Sequence, residues 1–315
     1  MSSQILLNFA VPFTEISGIG DVDASYLRRA AIVVKPKSGD VEAITEVVDK
    51  AELAALTDNK NGDAFFDGGL NKLYVIQTVA GDLSGVQAII DANENSFFTL
   101  HISSDFADSD ILAADIEFNG VISAEFSTRD DAKTFAERHC AGVSTLETKG
   151  YGVCYALARL LSQQTFWGNQ QYIDFSSSES IETISSIGLA ESYFDDRLSF
   201  WIYDEDEGIR LGFFASGGEA ITDKYISEEL KLNMQSDAVN YIAINQPMNT
   251  LLMRVGLQNE LQSVVDSYVD NDYLDPEETN EIVVSNSSEK YFVNGTLNIE
   301  LAEPIWRMAI TAVKG

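Results

Sequence analysis

Two histidines, His101 and His139, and two cysteines, Cys140 and Cys154, are all the imidazole and thiol chemistry in this sequence. A nucleophile needs a base within hydrogen-bond reach, and only His139 and Cys140 are neighbours in the chain. Adjacent helical residues point about 100° apart and do not face each other, so this pair reads as a packed thiol beside a surface histidine. A Ser-His-Asp unit could still assemble in space. A zinc set needs about four soft or imidazole ligands at close spacing, which Cys140 and Cys154 do not supply; they read as reduced, inert thiols. In SGIGDVD, the position three after Gly20 is Asp23 rather than the third glycine of a dinucleotide fingerprint, so the stretch reads as a loop. Asp105, Asp108 and Asp110 in DFADSDILAAD lack the central glycine and closing glutamate of an EF-hand and read as a solvated acidic turn. Asn286-Ser-Ser and Asn294-Gly-Thr match the glycosylation pattern, which has meaning only after secretion. Carboxylates are so frequent that no pair stands out as acid and base. These readings predict no catalytic centre, no metal and no cofactor.

Fifty acidic and twenty basic residues among 315 give a net charge of −30. That charge repels phosphate backbones and anionic lipid surfaces, so neither nucleic acid nor membrane is an expected partner. The start, MSSQILLNFAVPFTE, has no basic region followed by an apolar run, which predicts no secretory leader and a protein that stays in the cytoplasm. No window reaches the apolar length of a membrane span.

The elements available to hold a site alternate in type. AAIVV, KLYVIQTV, FFTLHIS and GVISAEFS read as strands; ITEVVDKAELAALT, LSGVQAIIDA and TRDDAKTFAERHC read as helices, the last with Thr128 as N-cap and acids in its first turn. RLSFWIYDEDEGIRLGFFASGG reads as a β-hairpin. Two long helices follow, from Thr222 to about Ile244 and from Asn249 to about Val269; Ile226, Leu230, Met234 and Tyr241 line one face of the first, and Leu251, Val255, Leu261, Val265 and Tyr268 one face of the second. The strands IVVSN and KYFVNGTLNIEL come after them. The expected class is mixed α/β: an α/β middle region, a C-terminal helical and β-hairpin domain, and strand-like arms at both ends. The boundaries predicted are 1–24, 25–216, 217–304 and 305–315.

Both chain ends alternate like strands. Ile5, Leu7, Phe9 and Val11 lie on one face of a segment with no charge in its first fourteen residues, and Trp306, Met308, Ile310 and Ala312 repeat the pattern at the other end. Free apolar strands invite aggregation, so each is expected to pair with a sheet outside its own subunit.

AFFDGGLNKLYVIQTV, Ala64 to Val79, resembles the segment of contractile phage tail sheath proteins in which the chain runs through an FF-x-G-G turn into a buried strand, here expected to bury Tyr74 and Ile76. The order of elements is similar too, above all from Gly217 to Gly315. The resemblance implies a minimal subunit of a contractile tail, forming hexameric rings that stack helically around a tail tube, with baseplate and tail terminator proteins as further partners. It implies assembly in the host cytoplasm, a final place in the virion, and a contraction that ejects the genome. It also implies that the helices from Thr222 to Val269 face the tube, with Lys224, Lys231 and Arg254 as contacts. The sheath of a bacterial secretion machine or tailocin is the alternative within this class; an acidic cytoplasmic α/β enzyme and a monomeric binding module are those outside it.

Overall fold

The computed structural model describes residues 3–7, 24–39, 41–78, 83–93, 96–139, 142–146, 151–162, 172–174, 183–184, 187–204, 208–212, 221–245, 249–286 and 293–301. The chain divides into a larger unit, Ser25–Lys224, and a smaller one in which Met1–Ala24 joins Tyr225–Gly315. The first strand, β1 (Ser3–Leu7), belongs to the smaller unit.

The larger unit is built on β2 (Ala30–Val34), whose five residues are all buried, as a central parallel strand covered on both faces requires. The chain next forms β3 (Ala43–Val47), α1 (Lys50–Leu56), α2 (Asn61–Asp67) and β4 (Leu73–Gln77). Then come α3 (Val86–Ala92), β5 (Thr99–Ile102), α4 (Asp108–Ala113), β6 (Val121–Glu125), α5 (Arg129–Arg138), β7 (Gly142–Thr145) and α6 (Tyr151–Ser162). The sheet order is β3-β4-β2-β5-β6-β7, parallel apart from the antiparallel edge strand β3. Ala31, Val33, Ile76, Leu100, Ile102 and Ile122 meet Val86, Ile90, Ile111 and Phe135 of the helices in one core. A second, antiparallel sheet of order β8-β10-β9 follows, from β8 (Tyr172–Asp174), β9 (Phe200–Asp204) and β10 (Gly208–Gly212), with α7 (Ile187–Asp195) before β9. The β9–β10 pair is the expected hairpin, closing with Asp204 opposite Gly208.

Three expectations change here. The segment 44–57 is not one helix: Ile44, Thr45 and Val47 pair with β4, and α1 starts only after Asp49, whose carboxylate accepts the Ala51 and Glu52 amides. β-Branched residues beside an open strand edge outweigh a helical period. In AFFDGG, Phe65 and Phe66 are helical, in α2. Gly69 alone takes a positive φ, +106°, whereas Gly68 has φ −74°. Gly68 is needed for closeness: a Cβ there would lie 2.5 Å from Ala158 Cβ and 2.6 Å from the Tyr155 carbonyl oxygen of α6. Ile76 is buried as expected; Tyr74 is only half-buried, beside Glu46 of β3.

The smaller unit contains α8 (Ile221–Asn245), which begins just inside the larger one, then α9 (Leu251–Asp270), β11 (Glu281–Asn286) and β12 (Val293–Ile299). Leu257, Leu261, Val264, Val265 and Tyr268 form the buried face of α9, which packs beside β11, and Ile282, Val284, Leu297 and Ile299 are buried apolar residues of the sheet. Leu251 and Val255, expected on that face, are 70% and 45% exposed. The start of α9 stays beside β11, with Asn249 bonded to Asn286, the last residue of the strand, and Gln258 to the Val284 amide, so Leu251 and Val255 are on a face turned away from the buried core.

The Gly68→Ala substitution places a methyl against backbone that cannot move aside, and overpacking of this kind costs about 1–3 kcal/mol. Urea unfolding should show that loss; an unchanged midpoint would mean that α2 and α6 can separate freely.

Candidate functional site

The sheet of the smaller unit joins the two ends of the chain. Its order is β1-β12-β11, antiparallel throughout, with Ile5 opposite Leu297 and Leu7 opposite Gly295. Ile5 and Leu7 therefore lie on an edge strand that, in the single chain, completes its own sheet. Phe9, Val11, Trp306, Met308, Ile310 and Ala312 fall outside the described residues.

The three expected cationic contacts each have a partner within the chain. Lys224 Nζ donates to Asn119 Oδ1 at 3.2 Å, Lys231 Nζ lies 3.5 Å from Glu228 Oε2, and Arg254 donates to Asn249 Oδ1 at 2.7 Å. The three aspartates of DFADSD serve the local fold. Asp105 accepts the Lys35 amide and the Asn59 carboxamide at 2.9 Å each, Asp108 accepts the Ser127 amide at 2.9 Å, and Asp110 is exposed in the first turn of α4. Among the described residues no group of three or more His, Cys, Asp or Glu could hold a metal ion, and no helix is long and apolar enough to cross a membrane. Cys154 is buried in α6, and Cys140 lies outside the described residues.

Tertiary structure does gather one set of groups with hydrolytic potential. His101 Nδ1 is 3.0 Å from Ser123 Oγ, and its Nε2 is 3.9 Å from Glu125 Oε1. The Asn61 carboxamide nitrogen reaches both His101 Nε2, at 3.3 Å, and Glu125. An amide nitrogen can only donate, so Nε2 is the acceptor and the imidazole proton sits on Nδ1, directed at Ser123. That is the wrong direction for a base that must take the serine proton. All four residues are buried, with His101 and Ser123 at 0% exposure, out of reach of a substrate. Phe65 closes the cluster with its ring edge-to-face on His101. The one sequence signal was polar Ser123 and Glu125 on alternate positions of an otherwise apolar strand, and nothing local linked them to Asn61.

The order of elements, the mixed sheet and the β11–β12 hairpin beside α9 define the fold of contractile sheath subunits. The chain superposes on the anti-feeding prophage helical sheath in its contracted state with a TM-score of 0.68 at 9% identity, over 92% of this chain and 94% of that one. A chain of the sixfold-symmetrised anti-feeding prophage baseplate structure gives 0.70 at 10% identity, over 93% and 94%. The contracted PVC sheath complex, an extracellular contractile injection system, gives 0.67 at 9% identity, over 91% and 92%. No family model and no curated protein matches the sequence.

Burial lowers the His101 pKa to about 3, and burial together with the Arg138 charge lowers that of His139, half-buried against Phe135, to about 4. The expected surface histidine is thus a partly buried one. Both are neutral in the folded chain near pH 6, whereas in the unfolded chain each titrates near about 6.5. Their contribution to stability is full above that value and falls as the pH drops toward the folded pKa values, by about 1.4 kcal/mol per pH unit for each histidine. Urea midpoints taken from pH 6.5 to 5 should fall accordingly, and His139→Asn should reduce the slope by about half. A flat profile in the parent chain would show that neither ring is held neutral.

Proposed function

We propose that this chain is a structural subunit of a contractile sheath, polymerising around an inner tube in an injection particle of the phage-tail type. The observation that carries the reading is the sheath fold over more than nine-tenths of the chain. The terminal strand supports it. Strand β1 joins by backbone pairing to the edge of β12, nearly the whole sequence away. The same five residues of a neighbouring copy would make the same hydrogen bonds, so exchange between copies changes little except which chain supplies the strand. The tail around Trp306 to Val313 would add to such a shared sheet, and subunits linked this way stay connected while they rotate and slide. The helical sheath and the sixfold-symmetrised baseplate among the matched structures suggest stacked rings of six here. On this reading Lys224, Lys231 and Arg254 would reach acidic groups on the tube by exchanging their present partners, and contacts of that polar kind are screened and readily released.

Negative-stain images of the purified chain mixed with its tube protein should show regular tubes or rings. Removing residues 305–315 should leave a soluble chain with the parent circular dichroism spectrum and no polymer. Full-length polymers from the shortened chain would exclude strand sharing through the tail, and a strictly monomeric parent chain under all assembly conditions would exclude the sheath.

A further inference from the structure

We infer that Gln258 and Gln262 of α9 close the outer edge of β11 to strand addition, so that strands exchanged between copies join on the β12 side of the sheet. The closure follows from the geometry of one chain; its consequence for exchange rests on the strand sharing proposed above.

Strand β11 is an edge strand, with Val283 42% exposed, and such an edge is a template for pairing. Two of its outward amides are already satisfied. The Ile282 amide donates to Gln262 Oε1 and the Val284 amide to Gln258 Oε1, each at 3.0 Å. Gln262 Nε2 donates in turn to the Asn280 carbonyl at 3.0 Å. One carboxamide thus accepts from residue 282 and donates to residue 280, the two bonds that a residue of a neighbouring strand would make. The spacing explains why glutamines four apart can do this. Four residues of helix rise about 6 Å and two residues of strand about 6.8 Å, so consecutive outward amides meet consecutive turns of α9.

The pattern continues at both ends. Asn249 Nδ2 donates to Asn286 Oδ1 at 2.8 Å and is held by Arg254, while Gln262 also donates to Asp266 at 2.8 Å. Positions 254, 258, 262 and 266 form a polar stripe beside the apolar face of the helix. Leucines there would cover the edge but leave its amides without acceptors.

The test is amide hydrogen exchange on the full chain. In the Gln258→Leu/Gln262→Leu variant, exchange at Ile282 and Val284 should quicken at least about tenfold while Val293–Ile299 keep their protection, and the protein should self-associate into thioflavin-positive species more than the parent does at equal concentration. Gln258→Glu, which keeps the acceptor, should retain protection at Val284. Unchanged exchange in the double leucine variant overturns the proposal, and so does faster exchange without added self-association, since the glutamines would then be packing partners only. If that variant does not fold, single Gln258→Leu, read at Val284, decides on the same criteria. Exchange in unassembled chains does not depend on the sheath reading, so failure of that reading leaves this result intact.

Discussion

The backbone groups of β12 must be satisfied on both sides, and the smaller unit is organised around that requirement. On one side β11 arrives through a short connection in the sequence; on the other β1 arrives from the far end of the chain. The first pairing is local and the second carries the entropy of closing almost the whole chain. Withdrawing β1 would uncover a row of amides and carbonyls on a strand whose Leu297 and Ile299 belong to the core, and in this chain β1 fills that edge.

The two edges of the sheet are therefore chemically different. At β1 an edge is completed by backbone, which an identical strand from elsewhere can replace. At β11 it is completed by side chains of α9, which are covalently part of the packed unit and cannot be exchanged. A polymer built through strand sharing gains direction from such a difference, because only one edge accepts a donor.

The larger unit works by the opposite principle. Its parallel strands are buried on both faces, β2 and β6 along their whole length, and four of the polar groups inside are bound to one another. His101, Ser123, Glu125 and Asn61 tie β5, β6 and α2 together, and removal of one member would leave buried partners unsatisfied, at about 1–3 kcal/mol each. Three of the four are residue types of a hydrolytic centre, yet the proton position and the burial give them a structural part.

Local pattern by itself determined much of this protein. The runs AAIVV and GVISAEFS, the Thr128 cap, the β9–β10 hairpin and the extents of α8 and α9 were legible because a strand period, a capping side chain or a helical repeat acts over a few residues. The mixed α/β class followed from their order. Tertiary structure decided the rest, because the deciding partner lay far away in the chain. Ile44, Thr45 and Val47 became a strand because β4 offered an edge; Leu251 and Val255 are exposed although the helical repeat grouped them with the buried face. His101 met Ser123, Glu125 and Asn61 through the parallel pairing of β5 with β6 and the placement of α2. Gln258 and Gln262 read in sequence as ordinary polar positions on a helix surface, and only the sheet edge beside them gives them a task. No period in the sequence encodes where a second element will lie, since that depends on which buried surfaces fit together once all the elements are present.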